Sequence, residues 1–93
     1  RTLKGHTGFV MKLVINNNNE LISGSYDSTI KIWNMETGEC LRILNEHTSP
    51  VGTLIMNNKN ELISGSWDGT IKILNMKTGR CLRRLAENFF WTL

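Results

Sequence analysis

Nowhere in the 93 residues does an apolar run approach the roughly 20 needed to span a bilayer, and the start carries no charged n-region, apolar h-region and cleavage site. Neither a membrane-spanning helix nor a secretory leader is expected. Proline occurs once, at Pro50, and the composition is otherwise that of an ordinary globular protein, which excludes a disordered, collagen-like or mucin-like chain. Cysteine is scarce. Cys40 and Cys81 fall at the same place in two copies of one unit, so they mark a repeat position rather than a disulfide framework or a metal site. Both read as reduced thiols of a cytoplasmic protein, with the nucleus as the alternative. A dominant sign of charge is missing too: 11 Lys and Arg against 8 Asp and Glu give +3, and the densest basic group, Arg80, Arg83 and Arg84, is small, so nucleic acid is not expected as a partner. The glycines form no phosphate loop, because GSYDSTIK lacks the GK[ST] ending. No cofactor is expected.

What is present is a repeat. Shifting the chain by 41 residues against itself, without a gap, superposes residues 1–41 on 42–82 with about 26 identities, a period in the range of propeller blades. Each copy contains four short strand signals: Val10–Ile15, Glu20–Ser25, 29–34 and Cys40–Leu44 in the first, and Val51–Met56, Glu61–Ser66, 70–75 and 81–85 in the second. The punctuation between them also recurs, as Asn-rich turns, SYDS or SWDG, and METG or MKTG. Leu21 beside Ile22, and Ile32 beside Trp33, place apolar groups on both faces of one sheet, so each four-stranded unit requires a neighbour on either side. Two units leave two faces uncovered. A chain this short exposes about 40% of its surface even when well folded and is marginal alone.

The segments GHTGFV, LISGSYDSTIKIWN and METGEC, repeated as HTSPV, LISGSWDGTIKILN and MKTGRC, resemble the WD-repeat family over about residues 1–85. The resemblance implies an all-β fold of β-propeller blades, two four-stranded antiparallel blades per chain, completing a ring by oligomerisation or as part of a longer chain. Residues 1–5 then form an orphan outer strand, 6–46 the first blade and 47–86 the second, with 87–93 an aromatic tail or the start of a degenerate repeat. Carried over position by position, the family's structural hydrogen-bonded tetrad falls on His6, Ser23, Asp27 and Trp33, and in the second unit on His47, Ser64 and Asp68. Leu74 replaces the second tryptophan and offers no donor, so that network is expected to be looser or water-bridged. Asn34 and Asn75 stand where the family usually has Asp, and Asn45-Glu46 stand in place of Lys4-Gly5.

His6, Ser23 and Asp27 are also the residue types of a catalytic triad. The structural tetrad is preferred, because no oxyanion site is indicated and the set recurs in both units, so no enzyme is expected. A zinc site built from Cys40, Cys81, His6 and His47 is rejected, since equivalent positions of adjacent blades lie too far apart to converge on one ion. Lys12, Lys31, Lys59 and Lys72 read as solvated strand-edge lysines. The family's narrow top face maps to Phe9, Met11 and Tyr26 in the first unit and to Pro50, Gly52 and Trp67 in the second. Phe9, Tyr26 and Trp67 are expected either to bind proteins or peptides, large aromatics beside polar turns being what such surfaces use, or merely to pack on the neighbouring blade. The expected role is a non-catalytic interaction scaffold or adaptor. The alternative is a structural fragment or minimal self-assembling unit with no binding activity of its own. The tail ENFFWTL departs from the repeat and is read as a plug or docking segment in preference to a degenerate third unit or an unrelated sequence.

Overall fold

The computed structural model describes residues 3–85, so the expectations for the tail at 87–93 lie outside the described residues. Eight strands follow one another: β1 (Val10–Ile15), β2 (Glu20–Ser25), β3 (Ile30–Asn34), β4 (Cys40–Leu44), β5 (Val51–Met56), β6 (Glu61–Ser66), β7 (Ile71–Asn75) and β8 (Cys81–Arg84). They form two antiparallel meanders, β1-β2-β3-β4 and β5-β6-β7-β8, with every strand beside its sequence neighbour. Leu3 to Gly5 take no part in a strand among the described residues.

Each hairpin is closed by a side chain that does a turn's work. Asn16 Oδ1 accepts from the amides of Asn18 and Glu20, both at 2.9 Å, while Asn19 takes the left-handed conformation (φ 63°) that Asn tolerates. Asn57 and Asn60 repeat the arrangement in the second blade. Asn34 Oδ1 accepts from the amides of Glu36 and Thr37, and Asn75 Oδ1 from those of Lys77 and Thr78. A carboxylate would accept those bonds equally well, so the family's usual aspartate is replaced without loss of the turn. The third strands start one residue later than the sequence suggests, at Ile30 and Ile71, because the Thr29 and Thr70 amides are spent on Asp27 and Asp68.

Both sheets carry β-bulges at matching places. Val10 pairs with Ser25 and Lys12 with Gly24, leaving Met11 as the extra residue; Val51 and Thr53 leave Gly52 in the same way. Such a bulge re-aims the end of its strand.

One core lies between the sheets. Ile22, Ile30, Ile32 and Leu44 from the first blade meet Val51, Leu54, Leu62, Leu74 and Met76 from the second, with Val14 and Met56 at its edge. At roughly 1.5–3 kcal/mol for each large aliphatic side chain removed from water, this contact is the main source of stability. The blades approach closely at Gly24: a Cβ there would lie 2.9 Å from Val51 Cγ1 and 3.2 Å from the Val51 carbonyl. Among the described residues the remaining face of each blade has no such cover. Leu13 is 54% exposed whereas Leu54, its counterpart, is 1% exposed.

Candidate functional site

In the first blade His6, Ser23, Asp27 and Trp33 come together in one hydrogen-bonded chain. Asp27 can only accept, so His6 Nδ1 donates to Oδ2 at 2.9 Å, which leaves Nε2 to accept from the Ser23 hydroxyl at 2.6 Å. The indole Nε1 of Trp33 then donates to Ser23 Oγ at 2.8 Å. The Thr29 hydroxyl donates to Asp27 Oδ1 at 2.6 Å, and the Thr7 amide to Oδ2 at 2.9 Å. Burial pushes the Asp27 carboxyl up, but the hydrogen bonds from Thr29, His6 and Thr7 outweigh it and hold the group well below the usual carboxylate range.

The second blade brings His47, Ser64 and Asp68 together in the same order, at 3.1 Å and 2.8 Å. Thr48 and Thr70 supply the matching donors to Asp68, whose carboxyl is likewise held low by bonds from Thr70, Thr48 and His47 against the upward push of burial. Burial depresses the His47 imidazole more than Asp68 raises it. Leu74 is fully buried where Trp33 has its equivalent, so Ser64 has no indole donor.

Four residues of these networks escaped the sequence reading: Ser25, Thr29, Ser66 and Thr70. Ser25 Oγ donates to the Phe9 carbonyl and accepts from the Asp27 amide; Ser66 does the same for the Ser49 carbonyl and the Asp68 amide. The readable signal was Ser-x-Asp-x-Thr, present in both units, whose two-residue spacing lets each side chain reach a backbone amide two positions away. Lys31 and Lys72, read as solvated, instead donate to the carbonyls of Gly5 and Glu46 and tie the loop ahead of each histidine to the third strand.

The serine–histidine–aspartate order has the connectivity of a nucleophilic relay, but the oxygen is out of reach. Ser23 is 2% exposed, its oxygen already accepts from Trp33, and Ser64 is fully buried. Among the described residues no group of three or more histidine, cysteine or acidic side chains is placed to hold a metal ion. No helix among them is long and apolar enough to cross a membrane.

At the rim above these networks, Phe9, Tyr26 and Trp67 form an edge-to-face row across both blades. The Phe9 and Tyr26 centroids lie 6.4 Å apart, and those of Tyr26 and Trp67 5.7 Å apart with their planes at 88°. Phe9 is 81% exposed, and Tyr26 and Trp67 about half. The backbone fixes the row from below: the Tyr26 amide donates to the Phe9 carbonyl and the Trp67 amide to that of Pro50. Met11, Pro50 and Gly52 are half-buried and take no part in the ring contacts.

Two four-stranded meanders stacked face to face, each with its own histidine–aspartate anchor, are a pair of β-propeller blades. The chain belongs to the WD domain, G-beta repeat family, whose model matches residues 1–34 and 38–75. Among curated proteins it is similar to the probable E3 ubiquitin ligase complex SCF subunit sconB of Talaromyces marneffei, 59% identical over 44 residues, covering 47% of this chain and 6% of that protein. The probable E3 ubiquitin ligase complex SCF subunit scon-2 of Neurospora crassa is 57% identical over 42 residues, covering 45% of this chain and 6% of the relative. The chain thus spans a small fraction of the curated relatives it matches. Among solved structures it resembles the computationally designed Ika4 protein, with a TM-score of 0.82 and 36% identity over 94% of this chain and 53% of that one.

Proposed function

We propose that the chain is a non-catalytic interaction module whose aromatic rim captures a protein or peptide, as part of a ring completed by further blades. The observation that carries this is the contact between Tyr26 and Trp67, which come from different blades yet meet edge to face and leave about half of each ring in water. Rings held this way expose a large apolar area at little cost in conformational entropy, as protein-binding surfaces require. The buried networks beneath serve the fold: they hold the Asp27 and Asp68 turns that carry Tyr26 and Trp67. Similarity to subunits of ubiquitin ligase complexes is consistent with an adaptor and supplies no catalytic group to this chain. Protein is preferred to nucleic acid, since Lys31 and Lys72 are engaged with carbonyls. The free thiols Cys40 and Cys81 fit a reducing compartment such as the cytoplasm.

The test is to pan the immobilised chain against a random peptide library beside the Tyr26→Ala/Trp67→Ala variant. Sequences enriched by the wild type and lost by a variant with an unchanged far-ultraviolet spectrum support the reading. Retention of the same peptides by the variant would remove the rim from the function.

A further inference from the structure

Deepening the ring reading above, on which it rests, we propose that the partner covering the two open blade faces is a second copy of this chain, docked head to tail so that the second blade of one copy stacks on the first blade of the next. The contact between the blades already displays this interface once. The second blade contributes Val51, Leu54, Met56, Leu62, Leu74 and Met76 to it; 41 residues earlier, the first blade has Val10, Leu13, Ile15, Leu21, Trp33 and Met35, of which Val10, Leu13 and Ile15 are exposed and Trp33 is already buried. The first blade contributes Val14, Ile22, Gly24, Ile30, Ile32 and Leu44; 41 residues later, the second blade has Ile55, Ile63, Gly65, Ile71, Ile73 and Leu85, of which Ile55 and Leu85 are exposed, Ile63 and Ile71 half-buried, and Gly65 and Ile73 buried. Most of the pairs are identical and the others remain apolar.

Two details show that the far surfaces keep the shape as well as the chemistry of the buried ones. Leu44 is 5% exposed and sits 2.7 Å from where a Cβ on Gly79 would lie, whereas Leu85 is 44% exposed. Gly24 is pressed by Val51 and Leu54, while a Cβ on Gly65 would meet, among the described residues, only Thr53 of its own sheet, at 3.4 Å. The close approach that requires glycine at position 24 is thus provided again at position 65, where Val10 and Leu13 of a neighbouring copy complete it. On the opposite side, Leu3, His6, Val10, Leu13, Leu21, Ser23 and Trp33 line an apolar depression of about 230 Å³. Because the two faces differ, the contact is heterologous and closes by rotation; three or four copies give the six or eight blades common in propellers.

The experiment measures the mass of the full 93-residue chain by light scattering, with two variants that each spoil one face. Leu13→Asp alters an exposed side chain of the first blade. Gly65→Val adds a strand-compatible side chain to the second, with Leu85→Lys as the substitute should it fold poorly. The proposal expects the wild type to run at one discrete multiple of the chain mass, each variant alone to run at the mass of a single chain, and an equimolar mixture to give a 1:1 pair, since one sound interface remains between unlike variants. A mixture that stays monomeric, or variants that keep the wild-type mass, overturns it. A wild-type chain that is monomeric and melts cooperatively overturns both this proposal and the ring reading. One that is monomeric without a cooperative melt overturns self-docking alone and leaves the ring to other blades. A monomer that multimerises once residues 86–93 are removed makes that segment the occupant and overturns the proposal.

Discussion

Replacing Asp27 by alanine tests whether the buried network, and not the aromatic rim, holds the first blade. The carboxylate receives four donors: His6 Nδ1, the Thr7 amide, the Thr29 amide and the Thr29 hydroxyl. Water can replace it at Thr7, whose amide is exposed, and the Thr29 hydroxyl lies 3.3 Å from His6 Nδ1 and can partly take over that proton. The rest is lost. Hydrogen bonds to a charged group contribute about 1.5–3 kcal/mol each and do not add fully, so the expected cost is about 3–5 kcal/mol. A domain of this length has about 5–14 kcal/mol in all, at 0.05–0.15 kcal/mol per residue. Asp27→Ala should therefore lower the urea midpoint severely or leave the chain unfolded. Tyr26→Ala, one residue away, removes a half-exposed ring and should cost about 1 kcal/mol. Tryptophan fluorescence followed through a urea titration at neutral pH measures both. A loss below about 1 kcal/mol for Asp27→Ala, or equal losses for the two variants, would refute the assignment of fold to one residue and recognition to its neighbour.

Two further outcomes concern backbone strain and acid. Ser28 sits at φ 77° where its counterpart Gly69 has φ 88°, so Ser28→Gly relieves a left-handed conformation costing about 1–2 kcal/mol against about 0.5–1 kcal/mol of added chain entropy; the melting temperature should rise by a few degrees, and an unchanged or lower value contradicts the argument. Burial depresses His47 while the hydrogen bonds around Asp27 and Asp68 depress those carboxyls, so in all three cases the unfolded chain binds protons first. Stability is then full above about pH 6.5, falls below it as unfolded His47 protonates, and falls again below about pH 4 for the aspartates; urea midpoints between pH 8 and 3 that stay level down to pH 4 would exclude the histidine step.

The fold was legible in the sequence because the repeat is gapless. A single 41-residue shift aligned strands, turns and anchors together, and five of the eight strands carry the limits that alternation and turn residues suggested, the last strand ending at Arg84, one residue short of the expected 85. The third strands were misjudged at Thr29 and Thr70, where a side chain two residues upstream outbids the ladder for an amide, a competition that β-propensity does not express. The site was legible as residue types and not as geometry. His6, Ser23, Asp27 and Trp33 could be named from spacing, but the roles of Ser25 and Ser66, which bind a carbonyl from the loop before the first strand, depend on a contact 16 or 17 residues away in the chain. Packing of these aromatics on the neighbouring blade was one of two expectations, but that Tyr26 and Trp67 meet ring to ring was not readable, since their 41-residue separation says nothing about how the two blades rotate against each other.

The two blades are near copies, yet they differ at one coupled pair, and the difference has a packing reason. Trp33 lies under Gly5: a Cβ at residue 5 would come within 2.9 Å of Cη2 of the indole and 3.0 Å of Lys31 Nζ. In the second blade both members change together, Glu46 for Gly5 and Leu74 for Trp33. The smaller leucine frees the space that a side chain at position 46 needs, and Glu46 uses its position beside Lys72, 4.0 Å away, while its carbonyl keeps the same lysine contact. Neither exchange alone is neutral, since a tryptophan beneath Glu46 collides with it and a leucine beneath Gly5 leaves a void and an undonated serine. Blade identity is thus set by a matched pair on the loop and the third strand, and the loss of the indole donor in the second blade is one half of an exchange whose other half is the gain of an acidic side chain at the loop.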